Sequence, residues 1–321
     1  MLVIVVAWGS CFALISWGIR DAPVLWFAAL RALVAGVGLL FAAVLTSRPG
    51  GAIPRGTRVW ALIAVLALTN VVVAFGAMFA SITGTTTGVA AVLSNATPLL
   101  VVLPAWWLFG ERPGLAQILG VAIGFGGLLI VAAPAGGGRG VGLALAAAAG
   151  ITAGALLARE LSDVDLIVLG AAQFLLGGAA LAAAAFLVEG PPRVITWNVH
   201  FTVALAVLGL GATALPYLLW FGELRRASLT SVTAWTLLVP VVGVVVGVVV
   251  LGERLTLATA IGDAIVVAGL VLVARAGRRT PGPAAAIGGR QTDNNTQHFH
   301  SPASRIAREQ CDLSTVEGRD R

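Results

Sequence analysis

Short clusters of charged and turn-forming residues divide this chain into long runs that are almost wholly apolar. The runs fall near residues 2–19, 24–46, 59–80, 88–109 and 114–133, and again near 141–159, 165–188, 201–222, 229–251 and 255–274. Each is long enough for a helix to cross a hydrocarbon core about 30 Å thick, which takes roughly 20 residues. A membrane strand would need only about ten residues, with apolar and polar side chains alternating, and none of the runs alternates. The pattern predicts an all-α integral membrane protein of about ten transmembrane helices joined by short loops.

The same pattern occurs twice. Residues 29–132 align with 171–274 without a gap, at the offset that separates Gly110 from Gly252. The pairs that carry the alignment are Pro98 with Pro240, Gly110-Glu111-Arg112 with Gly252-Glu253-Arg254, Gly120 with Gly262, and Gly127-Leu128 with Gly269-Leu270. Alanine and valine recur by chance in so apolar a chain, but prolines and a charged tripeptide in register do not. Five spans per half is an odd number, so the second half must enter the bilayer in the opposite orientation. Inverted repeats of this kind mark secondary transporters whose substrate site lies between the halves. The divisions expected are one five-helix repeat over 1–137, a second over 138–276, and a polar tail over 277–321. The tail opens with Thr280-Pro281-Gly282-Pro283 and has the composition of a disordered cytoplasmic segment.

Composition agrees, since 59% hydrophobic and 11% charged residues, with a mean hydropathy of +0.98, leave too little polar surface for a soluble globule. Charge adds orientation. All twenty basic residues are arginine. With the N-terminus placed in the cytoplasm, Arg48, Arg55, Arg58, Arg112, Arg159, Arg225, Arg226, Arg275, Arg278 and Arg279 lie inside, against Arg20, Arg139, Arg193 and Arg254 outside. Ten against four obeys the positive-inside rule. The net charge of +6 is thus a topology signal and not the clustered basic face that nucleic acid requires. The first span has no basic stretch ahead of it, and Trp17-Gly18-Ile19-Arg20-Asp21 offers no small-residue cleavage site, so the span is expected to stay in the membrane. Cys11 and Cys311 lie too far apart in this layout for a structural disulfide, and Cys11 reads as a small core residue. His298 and His300 lack a third ligand, so no metal is expected. No phosphate-binding loop pattern suggests a nucleotide cofactor.

Ionisable and amide groups inside a bilayer are costly and mark function by default. Here they are Arg31, about 12 Å into the second span at 1.5 Å per residue, Gln173 at the matching place in the seventh, Asn70, Asn95, Gln117, Tyr217 and Asp263, with the indoles of Trp8, Trp17 and Trp235. Arg31 admits two readings: a fork of donors for a carboxylate-bearing substrate, or a pin that serves exposed carbonyls. Asp263 reads as a coupling carboxylate, as the partner of Arg31 or another arginine, or as a structural polar group, and its place on the last helix of its half favours the structural reading. Pro98 and Pro240 are expected to free a carbonyl near the middle of spans four and nine, as kinks or gates. Gly120, Gly124, Gly127 and the pair Gly243 and Gly247 read as close-packing positions. The two Gly-Glu-Arg runs read as span-end turns with their charges at the headgroups.

Two five-span units, each with a proline, Gly-Glu-Arg twelve residues later and a glycine-spaced last helix, resemble the EamA-like repeats of the drug/metabolite transporter superfamily. Trp8-Gly9-Ser10 and Ala29-Leu30-Arg31 also resemble that family's first repeat. The resemblance covers residues 1 to about 276. It implies a ten-helix carrier with both termini cytoplasmic, a central cavity lined by spans one to four and six to nine, and spans five and ten at the periphery. It makes Trp8, Arg31, Asn70, Asn95, Gln173, Tyr217 and Trp235 candidate cavity residues and strengthens the structural reading of Asp263. Members typically export amino acids, related metabolites or drugs. The first span lacks the glutamate of small multidrug relatives, and the chain lacks the lysines of nucleotide-sugar relatives, so a neutral, zwitterionic or amphipathic substrate fits best.

The expected function is therefore a permease or exporter of small metabolites working by alternating access, in a bacterial plasma membrane, without a cofactor. Its expected partners are a small-molecule substrate, the lipid bilayer and a second copy of the chain as a homodimer. The alternatives are a polytopic membrane enzyme, for which His200 with Asn198 and Asp163-x-Asp165 are the only residues at hand, and a membrane sensor.

Overall fold

Among the described residues every apolar run is largely helical. The helices are α1 (Leu2–Gly18), α2 (Val24–Leu45), α3 (Thr57–Ser81), α4 in three segments (Thr87–Ser94, Thr97–Leu100 and Val102–Phe109), α5 (Leu115–Ala132), α6 (Arg139–Arg159), α7 (Leu166–Glu189), α8 (Val199–Ala206, continued by Val207–Ala214 and Leu215–Leu224), α9 (Val239–Leu251) and α10 (Leu257–Gly277). The computed structural model describes residues 1–46, 54–109, 113–133, 138–161, 163–224 and 238–277, and these contain no strand. Helices α2, α3, α6, α7, α8 and α10 are individually long and apolar enough to cross a bilayer, while α1, α5 and α9 are shorter apolar helices. Residues 229–237 of the ninth expected span, the run Gly110-Glu111-Arg112 and the tail lie outside the described residues.

The helix starts are fixed by carboxylates and amides where the backbone leaves N–H groups without partners. Asp165 accepts from Ile167 and Val168 at the start of α7, and Asn198 accepts from Phe201 at the start of α8. Glu189, the last residue of α7, accepts from the amides of Leu25 and Trp26 at the start of α2 at 2.9–3.1 Å. The C-terminal end of α7 therefore lies beside the N-terminal end of α2. Contacts at Gly178 with Leu33, Gly36 with Leu175 and Gly170 with Leu39 continue the antiparallel run.

The outer pair, α5 with α10, repeats this geometry. Gly120 faces Val273 and Gly262 faces Val131, contacts that exchange under the repeat offset, while Gly124 and Gly269 bring the two backbones together. A Cβ on Gly269 would come within 2.6 Å of the Gly124 nitrogen, so the small residues are what lets these helices touch. Equivalent helices of the two halves thus pack antiparallel, and the repeat is inverted as its odd span count requires. The other contacts between halves come in exchanged pairs too: α3 packs on α6 as α8 packs on α1, and α4 on α6 as α9 on α1. Large apolar side chains such as Phe41, Trp107, Leu187 and Val249 are exposed on the outer surface, where lipid replaces water as their solvent.

Both prolines stand at helix starts. Pro98 sits in the first turn of the segment Thr97–Leu100, and Pro240 in the first turn of α9. The helical segment before Pro98 ends at Ser94. Each opens a new segment, the place where its missing N–H leaves no hydrogen bond unmade.

Candidate functional site

Two spans carry a π-helical segment in their middles, Leu68–Val73 in α3 and Val207–Ala214 in α8. These overlap under the repeat offset. A π turn shifts the hydrogen-bond register by one residue and often marks a functional site. In α8 it lets the Thr213 hydroxyl donate to the Leu208 carbonyl five residues back at 2.8 Å. The same hydroxyl accepts from Nε of Arg31 at 2.9 Å. In α3 the π segment presents Asn70, whose Nδ2 donates to Oε1 of Gln173 at 3.1 Å. Arg31 and Gln173 are repeat equivalents, so each half sends one polar side chain from its second helix into the π segment of the other half.

These pairs meet at the centre of the bundle. Tyr217 lies beside Asn70, Gln173 and Arg31, with its ring 5.1 Å from Phe174 in an edge-on contact. The guanidinium lies 4.4 Å from the centroid of Phe75 and 5.6 Å from that of Phe79. Its Nη2 donates to the Cys11 sulfur at 3.4 Å. Arg31 is only 3% exposed. Of its five donors, those on Nη1 are buried without a partner.

Magnitudes decide what this means. Burying a charge costs several kcal/mol even after relaxation. A desolvated cation–π contact returns about 2 kcal/mol, a hydrogen bond to a charged group about 1.5–3 kcal/mol, and a thiol is a weak acceptor. Among the described residues no carboxylate completes the account. The arrangement can take an anionic group against Nη1, flanked by aromatic faces.

Arg31, Asn70, Gln173 and Tyr217 are therefore brought together by the fold. Trp8 lies on α1 against the apolar core that includes Cys11. Asn95 is elsewhere: it ends the first segment of α4 and its Nδ2 donates to the Ala91 carbonyl at 2.7 Å. Trp235 lies outside the described residues. Asp263 does not pair with Arg31; both its carboxylate oxygens are buried without a partner beside a separate cavity between α4, α5, α9 and α10. Cys11, Thr213 and Phe75 were not legible as site residues. Each is an ordinary apolar-span residue until the packing of α1, α3 and α8 around α2 brings it to Arg31.

On one face of the bundle the connections are tied together. Asp21, between α1 and α2, pairs with His200 and accepts from Asn198 at 2.8 Å, and its carbonyl accepts from the Thr196 amide. These bonds, that from Asn198 foremost, hold the Asp21 carboxyl below the usual carboxylate range. Trp17 packs edge-on against the His200 ring at 4.0 Å. Glu253, expected as a headgroup charge, also holds a helix start. Gly252 ends α9 in the left-handed conformation at φ 68°, which turns Glu253 back so that it accepts from the amides of Thr87 and Gly88 at 2.6 and 3.0 Å. The helix dipole makes that N-terminus of α4 attractive to a carboxylate, and only Arg254 stays exposed.

An inverted pair of five-helix units with a buried polar centre defines a polytopic membrane transporter. The profile of the EamA-like transporter family matches residues 1–133 and 138–275, and the chain belongs to that family. It is 27% identical over 275 residues to an uncharacterized transporter, YvbV, of Bacillus subtilis (strain 168), covering 84% of this chain and 88% of that one. It is 28% identical over 288 residues to a probable amino-acid metabolite efflux pump of Salmonella typhimurium, covering 84% and 92%. It is 31% identical over 305 residues to a probable terminal-alkyne amino-acid exporter of Streptantibioticus cattleyicolor, covering 88% and 96%. A solved crystal structure shares the fold with a TM-score of 0.64 at 21% identity, over 86% of this chain and 96% of that one.

Proposed function

We propose that this transporter is a secondary carrier that exports small, carboxylate-bearing metabolites of the amino-acid type across a bacterial plasma membrane, with both termini in the cytoplasm. The observation that carries the reading is the buried Arg31 guanidinium with Nη1 unpartnered, between the aromatic rings of Phe75 and Phe79. The names of the Salmonella and Streptantibioticus relatives point to the same substrate type. The two halves rock about the centre so that the site opens to one side at a time, and Tyr217, Asn70 and Gln173 offer the remaining polar contacts to the substrate. The arginine distribution supports the cytoplasmic placement of both termini.

Purified protein in proteoliposomes, loaded with single amino acids and tested for counterflow, examines this directly. Wild-type protein is expected to exchange at least one carboxylate-bearing compound and to discriminate at least tenfold against its carboxamide analogue, about 1.4 kcal/mol. Arg31→Ala is expected to lose at least tenfold in transport while inserting and purifying normally. Unchanged kinetics in that variant would make Arg31 a structural pin, and exchange of only uncharged or cationic compounds would refute the substrate class.

A further inference from the structure

We infer that the cavity between α4, α5, α9 and α10 is a site for one monovalent cation, a proton or Na⁺, held by the carboxylate of Asp263. The cavity has a volume of about 190 Å³ and its polar lining includes Thr85, Thr86, Glu253, Arg254, Thr259 and Asp263. Each ordered water needs roughly 10–15 Å³ of such space, so the cavity is roomy enough to be wet. Both oxygens of Asp263 are buried without a hydrogen-bond donor, and so is the Thr85 hydroxyl.

A charged carboxylate left this way inside a membrane protein is strongly unfavourable. The charged groups that face it supply no remedy. Glu253 adds negative charge, and its oxygens already accept from Thr87 and Gly88 at the start of α4. Arg254 is exposed and makes no bond to Asp263. The α4 side of the lining carries Thr85, Thr86, Gly88 and Val89, and the α5 side Val131. Among the described residues nothing neutralises Asp263, which leaves the place open to a cation from solution. An all-oxygen set of carboxylate and hydroxyl groups suits a hard cation. No three His, Cys, Asp or Glu side chains cluster among the described residues, which argues against a dedicated divalent or transition-metal site.

The two-fold repeat sharpens the point. The residue equivalent to Asp263 is Val121, so the first half cannot build this site. The cavity also shares no lining residue with the Arg31 cluster, which draws on α1, α2, α3, α7 and α8. One cation site, present once and apart from the substrate centre, is an arrangement by which an ion gradient can drive a carrier. Because Glu253 both lines the cavity and holds the start of α4, occupancy can reach that helix.

The test needs no substrate. The melting temperature of the full-length protein in detergent is measured with NaCl against choline chloride at fixed ionic strength, and in sodium-free buffer from pH 8 to pH 5. A cation that binds only the folded state raises the melting temperature saturably. Wild type is expected to gain several degrees from Na⁺, from acid, or from both in competition, and the arm that responds identifies the cation. Asp263→Asn is expected to lose the response, and Thr85→Val, which keeps the carboxylate, to shift its midpoint at least threefold towards higher cation concentration. Wild-type and Asp263→Asn curves that run parallel in both arms, or a Thr85→Val midpoint equal to that of wild type, would overturn the site. Arg31→Ala is expected to respond as wild type does, which separates this outcome from failure of the substrate reading.

Discussion

Arg31 and Gln173 hold the same place in the two repeats yet make unequal sites. Gln173 finds Asn70 and is a neutral amide with its needs met locally. Arg31 finds a hydroxyl and a sulfur and keeps donors without partners. The asymmetry places positive charge at one point of a nearly two-fold centre. At the face of the bundle, Asp21 offers a second residue-scale expectation. Its carboxyl is held below the ordinary value by Asn198 and then His200, so the stabilisation it supplies is present above the unfolded value near pH 4 and is lost as pH falls through the lower folded value. Asp21→Asn is expected to lower the melting temperature at pH 7, with the gap to wild type closing as pH falls below the unfolded value and through the lower folded one. A gap independent of pH would remove this role.

At the scale of elements, packing rests on what is missing from side chains. Where α5 meets α10, a methyl group on Gly269 would strike the Gly124 and Gly120 backbones at 2.6–2.7 Å, and backbone cannot swing aside as a side chain can. Gly269→Ala is expected to cost about 1–3 kcal/mol, the range for overpacking, read as a lowered denaturation midpoint. Transport per folded molecule is expected to be retained, because α5 and α10 contribute nothing to the Arg31 cluster. The same logic applies to capping. Glu253 supplies acceptors to two amides that open α4, so Glu253→Ala is expected to destabilise by about 1–2 kcal/mol, as loss of a helix cap does, measured in the same way.

For the molecule as a whole, the antiparallel runs of α2 against α7 and α5 against α10 place the connections near Asp21, Gly84, residues 190–198 and Glu253 on one face. The proposed orientation makes that face extracellular. Single cysteines at Arg193 and at Asp163, in a background with Cys11 and Cys311 replaced by serine, are expected to react with a membrane-impermeant maleimide from opposite sides. Label should reach position 193 in intact cells and position 163 only after lysis. The reverse pattern would invert the proposed topology.

Sequence alone determined the solvent, the helical class, the number of spans and the inversion, because each follows from properties that are local or additive. Run length against bilayer thickness sets the spans, and an odd number of spans per repeat sets the inversion. It also singled out Arg31, Asn70, Gln173 and Tyr217 as polar groups in apolar runs, since a polar residue is visible there whatever it touches. Which of them converge was decided by tertiary structure. Asn95 has the same character as Asn70 but is used by its own helix end, and Asp263 proved remote in its contacts from Arg31 although either charge could have served the other. Cys11 and Thr213 carry no signal in a chain full of small residues. They matter because a π turn re-aims α8 and because glycines let helices approach, and both are relations between segments far apart in the chain. Glu253 shows the same limit: its charge suggested a span-end group, and only the fold, with a left-handed glycine before it, gives it the start of a helix 165 residues away.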